Sequence, residues 1–444
     1  METQNKRLRY GNFAVILSAI YAMTAMFSQV VSQSGTAIVG FIFVFFLFFI
    51  RRKMGMSMDE TLFMLTLCSI NTSFTSILGG DYSKFPITWF MLSSLVLFVR
   101  ILYIGIKKSA VFGLFFLWIA FFSISLIGKE SFDYMEAVKQ FINLDLFLLS
   151  ILVGENLNFS KDRVDYFKKI YTDSTLIFAL LICIQAFIYN LSGVFYGTGD
   201  TYSTRVTFAA SFTDYSFASL YIASGIVLLV VQIMEREISI NQMQILLKLA
   251  ILFAGMILGN ARTGVAAMIV VVFFYLFRKI LQGNKYAITL CLISIPVAAF
   301  VINQQVESRG GQNFLDSSGR FDNYMTGLKV FLENPIMGVG FGIDNYTQNL
   351  VNVIEAIPHN MIIQFLAQFG MIGTTLLLVM LFEPFRIALA GKTPQAWALL
   401  AVFAGAMLIP DIASSHYAGV LIVISMAGYK NNKFIKPNPL KTTT

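Results

Sequence analysis

Four arginines and one histidine are the residues of this chain best suited to chemistry: Arg205, Arg262, Arg309, Arg320 and His359. A guanidinium presents a planar fork of donors that matches phosphate oxygens. Arg262 sits in Gly259-Asn260-Ala261-Arg262-Thr263-Gly264, between two apolar runs with almost no loop to solvate it. Arginine near membrane depth is costly unless it faces a cavity, a partner or a lipid headgroup. A shared site for a phosphorylated lipid is one reading. Four unrelated loop arginines, one of them paired with Asp316 or Asp322, are the other. His359 follows Pro358 where an apolar run begins, and proline just before a helix start is a common arrangement. The helix dipole there disfavours the imidazolium, so the ring stays neutral near neutral pH. A neutral imidazole can take the proton of an attacking hydroxyl, or the side chain simply holds the membrane interface. His416, at the start of the last apolar run, is the weaker candidate of the two histidines. Asp145 lies deep in the sixth run, where a carboxylate marks either a proton-coupled transporter or a structural hydrogen bond. Gly338-Val339-Gly340-Phe341-Gly342 follows no strand of a βαβ unit, which excludes a dinucleotide loop. Its glycines predict a tight turn or a close backbone approach to a ligand.

The elements that must position these residues are apolar helices. The 444 residues are 57% hydrophobic and 13% charged, with a mean hydropathy of +0.72, whereas soluble domains carry about 25% charged residues. Apolar blocks of about 18 to 25 residues match the span of a bilayer core and not the short alternating strands of a barrel. The fold class is therefore an all-α polytopic integral membrane protein with about 12–14 transmembrane helices. The first block, near residues 12–31, exceeds a signal-peptide core and is expected to be a retained helix. The third and eighth blocks are placed at 60–79 and 207–233. The net charge of +8 comes in short clusters between blocks, which are orientation anchors and exclude a nucleic-acid partner. Cys68, Cys183 and Cys291 each stand alone in a block, with no metal spacing or disulfide framework.

With the N-terminus in the cytoplasm, only eight of the 32 basic residues fall outside: Lys84, Lys129, Lys139, Arg205, Arg262, Arg309, Arg320 and Lys329. Both termini are then cytoplasmic, and both histidines face outward. The organisation expected is a helix bundle over 1–302, a long structured periplasmic loop over 303–358, three last spans over 359–429 and a cytoplasmic tail over 430–444. Within the loop, Phe321, Tyr324, Met325, Leu328, Phe331 and Leu332 recur at helical spacing, and Asn334-Pro335 ends that helix. The amphipathic helix lies on the outer membrane surface or caps the bundle.

Ser318-Gly319-Arg320, the amphipathic helix, Asn334-Pro335, Gly338-Val339-Gly340, Pro358-His359-Asn360 and Gln368-Phe369-Gly370-Met371-Ile372-Gly373 together resemble the O-antigen polymerase/ligase superfamily. Arg262 resembles an arginine that in the family usually follows a serine, which is Ala261 here. Arg205 resembles an arginine of an earlier outer loop, although the family's Pro-Asn reads Asp214-Tyr215. The resemblance is strong over about 255–380 and weaker over 195–225. It implies an inverting, metal-independent glycosyltransferase with no cofactor, acting in a bacterial inner membrane on its periplasmic face. Donor and acceptor would be polyprenyl-pyrophosphate-linked oligosaccharides, with membrane lipid and a chain-length regulator protein as further partners. His359, Arg320 and Arg262 are the implied catalytic residues. Arg205, Arg309, Asn360, Gly338 and Gly340 would bind substrate. The phenylalanine-rich, divergent sequence favours a polymerase of O-antigen or capsule. A ligase to the lipid A core is the family alternative, and a polysaccharide or lipid transporter the alternative of another class. The paired intramembrane charges and doubled broken helices of such a transporter are not found.

Overall fold

A computed structural model describes residues 2–80, 82, 85–106, 109–127, 132–202, 205–237, 242–307, 320–348 and 357–434. Arg309, with Ser318, Gly319, Lys84 and Lys129, lies outside the described residues. Helices dominate the rest. The first seven are α1 (Glu2–Met26), α2 (Gln33–Ile50), α3 (Met58–Cys68), α4 (Trp89–Ile104), α5 (Ala110–Ser125), α6 (Tyr134–Asn156) and α7 (Lys161–Ser192). A hairpin of β1 (Thr198–Tyr202) and β2 (Arg205–Ala210) follows. Then come α8 (Tyr215–Met234), α9 (Gln242–Gly259), α10 (Arg262–Leu281), α11 (Lys285–Glu307), α12 (Arg320–Glu333), α13 (Ile343–Thr347), α14 (Met361–Ala390), α15 (Pro394–Ala406) and α16 (His416–Phe434). Among the described residues, seven helices are long and apolar enough to cross a membrane, and five shorter apolar helices accompany them. The chain is an all-α polytopic membrane protein.

Its core is built on α8, which is buried along most of its length and packs against α7, α9, α10 and α15. Within lipid there is little hydrophobic gain in joining apolar helices, so close packing at small residues does that work. A Cβ on Gly225 would lie 2.3 Å from Thr175 of α7, and one on Gly264 of α10 would lie 2.3 Å from the Ser219 carbonyl oxygen of α8. α11 and α2 line the outside of the bundle, with Phe45, Phe49, Leu292 and Phe300 exposed on lipid-facing surfaces.

Two spans depart from the sequence reading. The block at 60–79 stops being α-helical at Cys68 and continues only as a 3₁₀ turn over Ile70–Thr72. Ser69, Asn71, Thr72 and Ser73 crowd that point, and such side chains compete with the helical hydrogen bonds. The block at 207–233 begins as strand β2 and becomes helix only at Tyr215. The Asp214 carboxylate caps that helix start, accepting from the backbone N–H groups of Ser216 and Phe217.

α14 is broken at Gly370, whose backbone takes φ 60° and ψ −163°. In an unbroken helix, the N–H groups of Met371 and Ile372 would bond the carbonyls of Ala367 and Gln368. Here the segment after α12 enters the gap. Val339 N–H donates to Ala367 O at 3.0 Å and Gly340 N–H to Gln368 O at 2.8 Å. Met371 N–H donates to Pro335 O at 2.8 Å and Ile372 N–H to Ile336 O at 3.2 Å. Irregular backbone inside an apolar bundle survives only when its polar groups are met in this way.

Candidate functional site

His359 stands immediately before the Asn360 N-cap of α14. The Asn360 side chain accepts from Ile362 and Ile363 N–H, and its Nδ2 donates to Met407 O at 3.3 Å. Asn360 therefore fixes the helix start and ties it to the segment between α15 and α16. The half-buried His359 ring places Nδ1 3.0 Å from Ile357 O, and the Tyr324 hydroxyl of α12 donates to the His359 carbonyl at 3.1 Å. In the neutral ring, Nδ1–H donates to that carbonyl and leaves the lone pair on Nε2. Burial, then the positive charge of Arg320, hold the imidazole below its ordinary value. The Ile357 hydrogen bond and the negative charge of Asp214 pull the other way.

Arg320 and Asp214 lie near enough to His359 for their charges to act on it, so the starts of α12, α8 and α14 share one end of the bundle. Arg320 is the first residue of α12, and the Gly327 backbone of that helix packs against Pro358. Arg262 is the first residue of α10, and its Nε and Nη2 atoms are shut away from solvent. Ala261, the N-cap, offers no side-chain hydrogen bond. Gly264 N–H instead donates to Ser219 Oγ of α8 at 2.9 Å. Asn260, at φ 52°, donates from Nδ2 to Val206 O at 3.2 Å, which ties the hairpin to the start of α10. On that hairpin, Arg205 donates to the Tyr215 hydroxyl at 3.0 Å, and its guanidinium carbon lies 5.1 Å from the Tyr215 ring centroid. The structure thus gathers Arg205, Arg262, Arg320 and His359 at one end. Three basic side chains at the same end as a neutral histidine can hold a polyanion and accept a proton from a neighbouring hydroxyl.

The other sequence candidates have different settings. Gly338 and Gly340, at φ 67° and 110°, make their close approach to the backbone of α14, where a Cβ on Gly338 would lie 2.3 Å from Gln368 O. His416 is buried between the rings of Phe74 and Phe90, each 4.8 Å away centroid to centroid. Asp145 accepts from Trp118 Nε1 at 3.1 Å, the structural hydrogen bond of the two readings. Tyr215, Tyr324 and Asp214 are the supporting residues that sequence reasoning missed. The signal for Asp214 was its place as an N-cap residue before an apolar run. The two tyrosines carried none.

The fold is that of a polytopic membrane protein, and three arginines and a histidine stand at one end of its bundle. A family model described as O-antigen ligase matches residues 247–378. The matched stretch runs from α9 into α14, contains Arg262, Arg320 and His359, and supports the O-antigen polymerase/ligase superfamily. Such a family implies a glycosyltransferase-like ligase or polymerase acting on lipid-linked oligosaccharide. No curated protein matches the chain.

Proposed function

We propose that this protein is a polysaccharide polymerase of a bacterial inner membrane, working on the periplasmic face. It moves a growing glycan from polyprenyl pyrophosphate to a hydroxyl of a new lipid-linked repeat unit. The observation that carries the reading is that Arg205, Arg262 and Arg320 stand at the same end of the bundle as a histidine whose proton-accepting Nε2 is set by the Ile357 hydrogen bond. Nε2 takes the proton of the acceptor hydroxyl as its oxygen attacks the anomeric carbon. The bond from that carbon to pyrophosphate oxygen breaks, and the leaving pyrophosphate keeps the electron pair. Attack from the opposite side inverts the anomeric centre. The arginines stabilise the charge on the leaving group, a preorganised electrostatic role, and no metal is called on. Because pyrophosphate leaves readily, positioning and charge supply most of what the step needs. The exposed stripe of Phe321, Met325 and Leu332 on α12 suits contact with the membrane surface that presents the lipid carriers.

The test is the gel profile of surface polysaccharide from a deletion strain complemented with wild type or His359→Ala. Without the gene, core bearing a single repeat and no ladder supports the polymerase. Loss of all attached glycan with lipid-linked polymer accumulating would make the protein a ligase instead, and lipid-linked material held inside would make it a transporter. A full ladder restored by His359→Ala would remove the histidine from the mechanism.

A further inference from the structure

The same end of the bundle holds a cavity of about 240 Å³, beside the basic cluster and distinct from it. Its polar walls are Tyr82, Glu136, Lys139, Gln140, Asn143, Asp411 and Ser414. The chemistry is the reverse of a phosphate site. Glu136 feels the negative charges of Asp344 and Asp133, offset in part by Lys139. Across the cavity, Asp411 is buried, with Oδ1 accepting from Ala413 N–H and Oδ2 from Ser414 Oγ, each at 2.8 Å. The Tyr82 hydroxyl donates to Asn143 Oδ1 at 3.2 Å, so the Asn143 amide keeps its N–H donors to offer. Keeping carboxylates of like charge together in a half-buried cleft costs stability.

Two carboxylates, with Lys139 alone to offset them, disfavour an anionic ligand. They accept hydroxyl hydrogens well, and amide N–H groups donate back to hydroxyl oxygens. We infer that this cleft is a sugar-binding subsite, in which Glu136, Asn143 and Asp411 hold the hydroxyls of a glycan ring. The inference rests on the glycosyl-transfer reading and names the substrate part that the basic cluster cannot recognise. The cleft lies just below the roughly 300–1,000 Å³ of pockets for drug-sized ligands, a size for one or two sugar rings and not a folded polymer.

Two connections place the subsite next to His359. Gln140 Nε2 donates to Gln368 Oε1 at 2.9 Å, and Gln140 Oε1 accepts from Gly342 N–H, so one wall rests on α14 and on the turn that fills its break. The opposite wall, carrying Asp411, follows Met407, whose carbonyl is held by Asn360 beside His359. A ring bound in the cleft therefore touches the two segments that frame the histidine.

The test uses the full chain in lipid nanodiscs, with the repeat-unit oligosaccharide released by mild acid from the host's lipid-linked pool as probe. Binding is read by saturation-transfer NMR and calorimetry. Wild type binds the probe. Glu136→Gln and Asn143→Ala each weaken binding roughly tenfold, the loss of one or two hydrogen bonds, while unfolding at the wild-type temperature. Arg320→Ala leaves binding unchanged, because the probe carries no pyrophosphate. Transfer assays then separate the two sources of the sugar. A cleft variant that still releases glycan from its carrier but no longer extends it assigns the acceptor's sugar to the cleft, and loss of both assigns the donor's. Failure of wild type to bind the probe overturns the inference, as does wild-type affinity in both folded cleft variants. An intact ladder in His359→Ala overturns the catalytic assignment alone and leaves the cleft standing.

Discussion

Replacing Gly338 with alanine tests whether the segment 335–340 truly completes α14. Two costs combine. At φ 67°, a residue with a Cβ pays about 1–2 kcal/mol for the left-handed conformation. The Cβ would also lie 2.3 Å from the carbonyl of Gln368, so the turn must retreat from α14. The hydrogen bonds from Val339 to Ala367 and from Gly340 to Gln368 are then lost, at about 0.5–1.5 kcal/mol each. The sum is about 2–5 kcal/mol. Gly193, the C-cap of α7, is the matched control: its φ is 70° and nothing lies within 4 Å of a Cβ there. Gly193→Ala should cost only the conformational part, about 1–2 kcal/mol. Reversible unfolding in mixed micelles, followed by circular dichroism, compares the two. Gly338→Ala should be the less stable by about 1–3 kcal/mol, the value of the two lost bonds. Equal destabilisation of the two variants would refute the wedge.

Two further outcomes follow from the basic cluster. His359 is held below its ordinary value, about 6.5, first by burial and then by Arg320, so the unfolded chain binds this proton at higher pH than the native protein does. Its contribution to stability is present above about pH 6.5 and is lost as pH falls toward the native value. Transfer activity should accordingly persist through about pH 6.5 and fall only at lower pH, and Arg320→Gln should move that fall upward. A pH–rate profile of wild type that breaks at or above the ordinary histidine value would contradict this. At Arg205, Tyr215→Phe removes the hydrogen bond and keeps the ring, so the KM for the lipid-linked donor should rise roughly fivefold. Tyr215→Ala also removes the cation–π contact, which is worth about 0.5–2 kcal/mol and should raise KM a further two- to thirtyfold. Equal KM values in the two variants would mean that the ring does not position Arg205.

The helical class was legible because unbroken apolar runs leave the backbone little choice in lipid. The helix at Arg320–Glu333 was legible from its spacing, and its two faces are now distinct. Gly327 and Val330 face α14, whereas Phe321, Met325 and Leu332 face outward. The hairpin was not legible. Val206, Phe208, Ala209, Ala210 and Phe212 are apolar and lie close before the apolar α8, so composition hides the change of period at Asp214. The break in α14 was equally hidden, because the sequence signals a glycine but not the distant backbone that fills the gap it opens. At the site, residue type pointed to arginine and histidine. Their support by Tyr215, Tyr324 and the Ile357 carbonyl is a matter of three-dimensional contact that no local pattern encodes.

The wedge at Gly370 also has a bearing on how the chain is made. Synthesis runs from the N-terminus, so Pro335 to Gly340 are complete before the first residue of α14 is added. When α14 enters the bilayer, its four unmet groups at Ala367, Gln368, Met371 and Ile372 already have their partners on the preceding segment. The filling segment precedes the helix it repairs, and α14 need never lie exposed to lipid as two open-ended halves.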